Sequence, residues 1–505
     1  MKKIIGLVKK IINSLKKPKI KKEEQKIEVI SQELVKEKPL RYVYIGIDYG
    51  TSGTKVMWKD PQVTRKVYVI EFPEIGSTQF NNLIVPSVVH LHSRKFYFGH
   101  LPSEDITKGE TFVSLKKLIG YEVGLLKNPL NLTQDFKNHS KSKEYFPPSR
   151  LSTLFLAYII RETVGIIKNF CGENYILRPY YILGIPYHFY NNSVCKEIFE
   201  KSFFIAWLIK DTVFQGIEKK EAFDIIREAE TIYHATPSEE RLTIVAPDTY
   251  VSVFEQIQRP THPEGLHAIV DIGAGTTDIT FFYFARPYAE SPKISTYSTR
   301  AYDAGTDDLD SLIVDKISGI KKDFLSPTER RNLLFQLREI RPNLKEKENI
   351  SLNIRNQQME VSYTDYLECA KQLAEKLYRY YQETSYEGCK RKKKEKLWEE
   401  LFLYLGGGGS CIKEIKKKFS EPLPLSVPSK SQKLELGTWG LPQDIVTRQK
   451  GWVEKNFFFF PVAYGLTSYL ERWKDVPIRS PEQIRPEPKK EILKIPDIHD
   501  IEETR

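Results

Sequence analysis

Three glycine-rich turns stand out, each preceded by a hydrophobic run that reads as a strand. The first is Asp48-Tyr49-Gly50-Thr51-Ser52-Gly53-Thr54, the second Asp271-Ile272-Gly273-Ala274-Gly275-Thr276-Thr277, and the third Gly406-Gly407-Gly408-Gly409-Ser410. Glycine lets a backbone approach phosphate oxygens closely, and the N–H groups and hydroxyls beside it donate to them. An aspartate ending each of the first two strands can hold a hydrated Mg²⁺ between the turns. None of the three is a P-loop, because no Lys-Ser/Thr pair follows at the required spacing, and none matches G-x-G-x-x-G after a strand. A lone Gly-Thr-Ser-Gly is often a simple hairpin. Two similar Asp-x-Gly turns about 220 residues apart, with a third glycine turn beyond, form a more specific constellation.

The elements that must position these turns are strands alternating with helices. The ordered body starts at Arg41 with a strand over 42–47, and alternation continues to about Trp473, which implies α/β layers. Helical patterns dominate 310–400. With 40% hydrophobic and 12% aromatic residues the chain can bury a sizeable core, so a fully disordered protein is excluded. No apolar run approaches the ~18 residues of a membrane-spanning helix. The five cysteines are widely spaced with no C-x-x-C pair, which favours a reducing compartment over a disulfide framework or zinc ribbon. His90 and His92 alternate as in a strand and read as packing or surface residues.

The net charge of +11 is concentrated. Nine lysines and no carboxylate fall within residues 1–22, so the other 483 residues carry only +2. A generally basic, nucleic-acid-binding body is not expected, and the run 390–394 reads as a solvated helix face. Residues 1–17 read as a helix with Ile4, Ile5, Leu7, Val8, Ile11, Ile12 and Leu15 on one arc and six lysines opposite. Such a helix suits an anionic membrane surface, and equally a partner groove. Lys9 and Lys10 interrupt what a secretory signal would need. From 476 the chain turns Pro-rich and charged, and reads as a disordered tail.

The glycine-turn constellation resembles the actin-like ATPase superfamily, in particular the nucleotide-binding domain of the seventy-kilodalton heat-shock chaperones. Ser114-Leu115-Lys116-Lys117-Leu118-Ile119-Gly120 is similar to the stretch holding that family's catalytic lysine, which falls on Lys116. Leu183-Gly184-Ile185-Pro186, the turn Ala304-Gly305-Thr306-Asp307-Asp308, and Pro461-Val462-Ala463-Tyr464-Gly465 resemble further family segments. The resemblance covers 41–473. It implies an α/β fold of two lobes, each with a ribonuclease-H-like core and with a helical extension in the second, closing on ATP and Mg²⁺. Residues 1–40 would be helix and tether, 41–265 the first lobe, 266–445 the second, 446–475 a return helix to the first, and 476–505 a tail.

The same resemblance implies roles. Gly50, Thr51, Ser52, Gly53 and Thr54 would cradle phosphates with Gly273, Gly275, Thr276, Thr277 and Gly305. Asp48 and Asp271 would hold the metal through waters. Lys116 would orient the attacking water, with Thr276 near the terminal phosphate. Gly407, Gly408, Gly409 and Ser410 would meet the adenosine with Arg338 and Arg341. The sequence departs from the family where a water-positioning glutamate is expected: Pro247 stands there, with Asp248 one residue on. Cys411 replaces the arginine that packs on adenine. The expected function is an ATP/ADP-binding, slowly hydrolysing cytoplasmic switch acting through a protein partner, without a peptide-binding domain. An actin-like filament former or membrane-anchored assembly protein, and a sugar kinase, are the alternatives.

Overall fold

The computed structural model describes residues 38–100, 109–124, 146–172, 174–237, 241, 243–248, 263–285, 293–317, 325, 327–341, 349–354, 357–391, 398–423, 433–437 and 439–472. The basic N-terminal helix with most of its tether, and the Pro-rich tail, lie outside these residues. Among the described residues no helix is long and apolar enough to cross a membrane.

The protein is α/β with mixed sheets. In the first sheet, β1 (Leu40–Tyr49) and β2 (Gly53–Lys59) form an antiparallel hairpin. Beside β1 run, in parallel, β3 (Ile176–Ile185) and then β4 (Thr243–Pro247). The short strand Val67–Val69 continues the other side of β2. The second sheet repeats this plan. Its hairpin is β5 (Gly265–Ile272) and β6 (Thr277–Ala285), extended by antiparallel β7 (Lys293–Tyr302). On the other side, β8 (Glu400–Gly406) and β9 (Lys433–Gly437) run parallel to β5. Leaving aside Val85–Pro86, which pairs with β2, and Ile445–Val446, which pairs with Val67–Val69, both sheets read 3-2-1-4-5 in order of appearance. Each of the first two glycine turns joins strands 1 and 2 of its sheet, and the third follows strand 4 of the second sheet.

Both central strands are rich in β-branched and aromatic residues. At its C-terminal end β1 is buried on both faces, as a strand covered on two sides must be. Helix α1 (Leu115–Glu122) carries the Lys116 segment. Helices α2 (Pro148–Cys171), begun by a proline at its first position, and α3 (Ser193–Ile209) cover the first sheet and share its core with Ile45, Ile47, Phe155 and Phe203. Helices α4 (Thr306–Ile317), α5 (Pro327–Ile340) and α6 (Tyr363–Arg391) build a separate core on the second sheet. In α6 the buried Tyr366, Ala370, Leu373, Leu377 and Tyr381 recur at helical spacing, so one stripe faces that core. Helix α7 (Pro461–Leu466) returns to the first sheet. A Cβ on Gly46 of β1 would lie 2.5 Å from the Ala463 carbonyl, so only glycine permits this approach.

Helices dominate 310–400, as expected, and an antiparallel hairpin of Ile350–Ile354 and Gln357–Val361 interrupts them, its Ile350, Leu352 and Val361 filling the second core. One expectation changes: the first strand is longer than expected, Leu40–Tyr49, because pairing with β3 continues from Leu40 to Asp48. His90 is buried and faces Thr111 at 3.1 Å. Burial pulls its pKa down to about 4, so it packs as a neutral ring.

Candidate functional site

A cavity of about 700 Å³ lies where the two sheets' carboxyl ends meet, the place where open α/β sheets bind ligands. Its walls include the first turn (Gly50, Thr51, Ser52, Gly53), the second (Gly273, Ala274, Thr276) and the third (Gly406, Gly407, Gly408). Asp48, Asp271 and Lys116 also reach it. Segments far apart in the sequence are thus brought together around one space.

The hairpin registers explain the charges there. At the end of the first hairpin Asp48 faces Lys55 across the strands, and the ammonium donates to Asp48 Oδ2 at 2.7 Å. The equivalent pair in the second hairpin is Asp271 opposite Asp278, two carboxyls. Lys116 on α1 donates to Asp248 Oδ2 at 2.8 Å, just beyond β4. A Cβ on Gly184 would meet Asp248 Oδ1, so that carboxylate's place depends on glycine in β3. Four aspartates and two lysines therefore share one partly dry space.

Their ionisation follows from burial and from one another. Burial, then the charge of Asp48, lifts Asp271 to about 6. Burial, then Asp248 and Asp271, lifts Asp278 to about 8. Burial and the neighbouring aspartates also raise Asp248 against the pull of Lys116. Burial by itself would lower Lys116, but Asp248 and Asp48 outweigh it and hold the ammonium protonated.

This surplus of acid predicts a pH-dependent stability. The unfolded Asp278 loses its proton near 4 and the native one near 8. The native state thus binds more protons across that window, and stability falls as pH rises through it. Thermal melts from pH 5 to 8 should show a declining melting temperature. Asp278→Asn should flatten the decline and raise the melting temperature above that of the wild type at pH 8. A variant melting with the wild-type slope would show that this carboxyl is ordinary.

The surplus also tests the fit to a cation. Among the described residues no group of three or more His, Cys, Asp or Glu is placed to hold a metal ion. The carboxylates nevertheless outnumber the lysines. Asp248 Oδ1 and Asp278 Oδ1, both buried, have no hydrogen-bond partner among the described residues. The residues fit a cation met through its water shell.

Several expected phosphate ligands shape the turns instead of lining the cavity. Thr54 is fully buried with its hydroxyl 2.9 Å from Ser87 Oγ. Thr277 donates to the Ala304 carbonyl at 2.8 Å. Ser410 donates to the Gly407 carbonyl at 2.7 Å, and Gly409 packs on Ile272. Gly305 lies under the second turn, where the backbone N–H of Thr306 donates to Gly273 O and that of Asp307 to Ala274 O. Gly275 packs against Thr51 and Lys117, so the first two turns touch. Of the third turn, Gly407 has a left-handed φ of 72° and a Cβ there would meet Asp271 Oδ1.

Arg338 borders the cavity, but its guanidinium is engaged elsewhere. It donates to Asp307 at 2.7 Å and to Ser114 Oγ at 2.6 Å, and Ser114 donates to Asp307 at 3.0 Å. Beside it Lys117 pairs with Asp303 at 2.5 Å. These groups join α1 of the first sheet's body to α4, α5 and the turn before them in the second. Arg341 also borders the cavity, donating to Thr306 Oγ1 at 3.2 Å and lying 3.3 Å from Asp310.

The sequence reading passed over Lys55 and Asp278, although period-two pairing about each glycine turn would have placed them opposite the two strand-ending aspartates. It also missed Tyr363, Tyr366, Trp439, Trp452 and Phe459 in the cavity wall. Nothing local marks these as site residues, since each reaches the wall through packing between segments. Asp248, one position away from where a glutamate was expected, is the carboxylate that reaches Lys116.

No protein-family model matches this sequence, and no curated protein matches it significantly.

Proposed function

We propose that this chain is an ATP-binding, slowly hydrolysing switch with the two-lobed actin-like ATPase fold, of the kind found in the nucleotide-binding domain of seventy-kilodalton heat-shock chaperones, and that it works through a protein partner. The observation that carries the reading is the convergence of three glycine turns, Asp48, Asp271 and Lys116 on one cavity between two sheets of the same 3-2-1-4-5 order. The contacts joining α1 to the second body supply an interface whose opening a partner could sense.

In this reading Mg²⁺ would bring charge neutralisation to the phosphates. The chain's own residues do the rest. Backbone N–H groups of Thr51, Ser52, Gly53, Ala274 and Thr276 would donate to phosphate oxygens, with the Thr51 and Thr276 hydroxyls beside them. Asp48 and Asp271 would hold the cation through its water shell. Lys116, held protonated, faces charge that builds during transfer, and Asp248 Oδ1 offers an acceptor to a water proton. Arg341, Tyr366, Cys411 and Ile412 would border the base.

The test is thermal. A ligand that binds only the native state at a hundred times its dissociation constant stabilises it by about 2.7 kcal/mol. ATP with Mg²⁺ should therefore raise the melting temperature by several degrees, and Asp271→Ala should remove most of that rise. No shift at saturating ATP and Mg²⁺ would refute the assignment.

A further inference from the structure

One wall of the cavity, on the first sheet's side, is aromatic. Thr78–Phe80 forms a single turn of 3₁₀ helix, closed by Asn81 with a left-handed φ of 50°, and the Ser77 N–H before it donates to Ile84 O at 2.9 Å. This turn sets Gln79 and Phe80 in the cavity wall with Trp452 and Phe459. Phe80 meets Phe459 edge-on at 5.6 Å and Trp452 edge-on at 6.4 Å, and the Trp452 and Phe459 rings lie within 3° of parallel. The three rings are only partly buried against the core behind them, so aromatic surface is left at the cavity. The wall runs between two glycine turns. At one end a Cβ on Gly53 would fall 2.6 Å from Ile84, and at the other a Cβ on Gly408 would fall 3.4 Å from the Phe459 ring.

Gln79 is the anomaly in this wall. Both polar atoms of its amide are buried, and neither has a hydrogen-bond partner among the described residues. Polar groups near it are provided for: Trp439 Nε1 donates to Leu405 O at 2.7 Å, and Asn456 Nδ2 to Trp452 O at 2.8 Å. A buried amide with neither group paired is costly, and one kept beside a cavity marks a place that a ligand completes. A carboxamide sets an acceptor beside a donor, whichever way it is turned. Adenine sets a donor beside an acceptor along its N6–N7 edge, whereas guanine sets two acceptors there. The two arginines expected at the base are already engaged, Arg338 by Asp307 and Ser114 and Arg341 by Thr306 and Asp310.

We infer that the base is read from this aromatic wall: Phe80, Trp452 and Phe459 stack on it and the Gln79 amide pairs with its N6–N7 edge, so the site selects adenine over guanine. This rests on the nucleotide reading above and adds to it the residue that decides the base. Stacking is tolerant, because every base has a π face. A desolvated amide is not, because guanine would set an acceptor against the amide oxygen and leave it unpaired. Grip therefore belongs to the rings and selection to Gln79.

The experiment titrates full-length protein with ATP or GTP and Mg²⁺ and follows tryptophan fluorescence, since Trp439 and Trp452 line the cavity. Inorganic tripolyphosphate with Mg²⁺, which has no base, is followed by its melting shift. Wild-type protein should bind ATP about tenfold or more tighter than GTP, the discrimination of one bidentate pair. Gln79→Met keeps the side chain's length without its amide. It should bind the two nucleotides about equally, by weakening ATP, and leave the tripolyphosphate shift unchanged. Without ligand it should melt no lower than wild type, because it removes a buried unpaired amide. Trp452→Leu should instead weaken ATP and GTP alike, about tenfold, again with tripolyphosphate unaffected. Equal wild-type affinity for ATP and GTP, a Gln79→Met protein that keeps the preference, or a Trp452→Leu protein that binds ATP like wild type would each overturn this inference and leave nucleotide binding standing. No response to any of the three ligands would overturn the nucleotide reading and this inference with it.

Discussion

Replacing Lys116 with methionine should lower ATP turnover at least 100-fold while the Mg²⁺-ATP melting shift survives. The ammonium is buried, held 2.8 Å from Asp248, and kept protonated by Asp248 and Asp48 against the cost of burial. A fixed charge in a dry site stabilises developing negative charge with little reorganisation, and removal of one such group typically costs a hundredfold or more. On the proposed function the native turnover should itself be slow, below about one per minute, because the resemblance puts Pro247 where that family has a water-positioning glutamate. Asp248→Asn should cost nearly as much as Lys116→Met, because it removes the charge that holds Lys116 and leaves one oxygen to serve both the ammonium and a water. The double variant should then fall little further than either single one, as expected of groups acting as a unit. Single-turnover assays with purified protein decide the matter. Turnover unaffected by Lys116→Met would remove the lysine from the mechanism. Turnover indifferent to Asp248 alone would show that the ion pair is structural.

The second large effect is on stability. Arg338→Ala should cost about 3–5 kcal/mol, the usual loss when one member of a buried pair is removed and its partner stays charged. Burial alone would lift the Asp307 carboxyl. The charges of Arg338 and Lys117, with hydrogen bonds from Arg338 and Ser114, outweigh it and keep that carboxyl below the usual range. Without the guanidinium, Asp307 would be a buried charge held by only part of this set. Adding Asp307→Asn to Arg338→Ala should recover much of the loss, a coupling that separates the charge term from lost packing. Urea melts of the two single variants and the double one measure it. Simple additivity would show that Arg338 contributes only volume. Because this network joins α1 to the second body, Arg338→Ala should also speed nucleotide release if lobe opening limits it, readable with a fluorescent ATP analogue.

The parts of the site legible in the sequence are those built within a few residues. Gly50 to Gly53 and Gly273 to Gly275 announce turns because their backbones must bend tightly. Asp48 and Asp271 announce themselves because each ends a run of β-branched and aromatic residues that can only be a buried strand. The structure places Lys116 in the wall of the same cavity as the first two turns. The α/β class followed from the alternation of patterns. The hairpin at 350–361 did not, because helices flank it closely and a short amphipathic pair carries little periodicity of its own.

What the sequence by itself determined, then, are the local turns, the strands that end in aspartate and the concentration of charge before residue 23. Tertiary structure decided which of these residues meet the cavity and in what ionisation state. Thr54, Thr277 and Ser410 carry the right hydroxyls, yet each turns inward because a buried hydroxyl without a partner would cost more than the turn could supply. Lys116 and Asp248 are 132 residues apart, and Arg338 and Ser114 are 224 apart. Such pairs form because packing of distant helices leaves two opposite charges in the same dry space, a consequence of the whole fold's burial that no window of neighbouring residues contains.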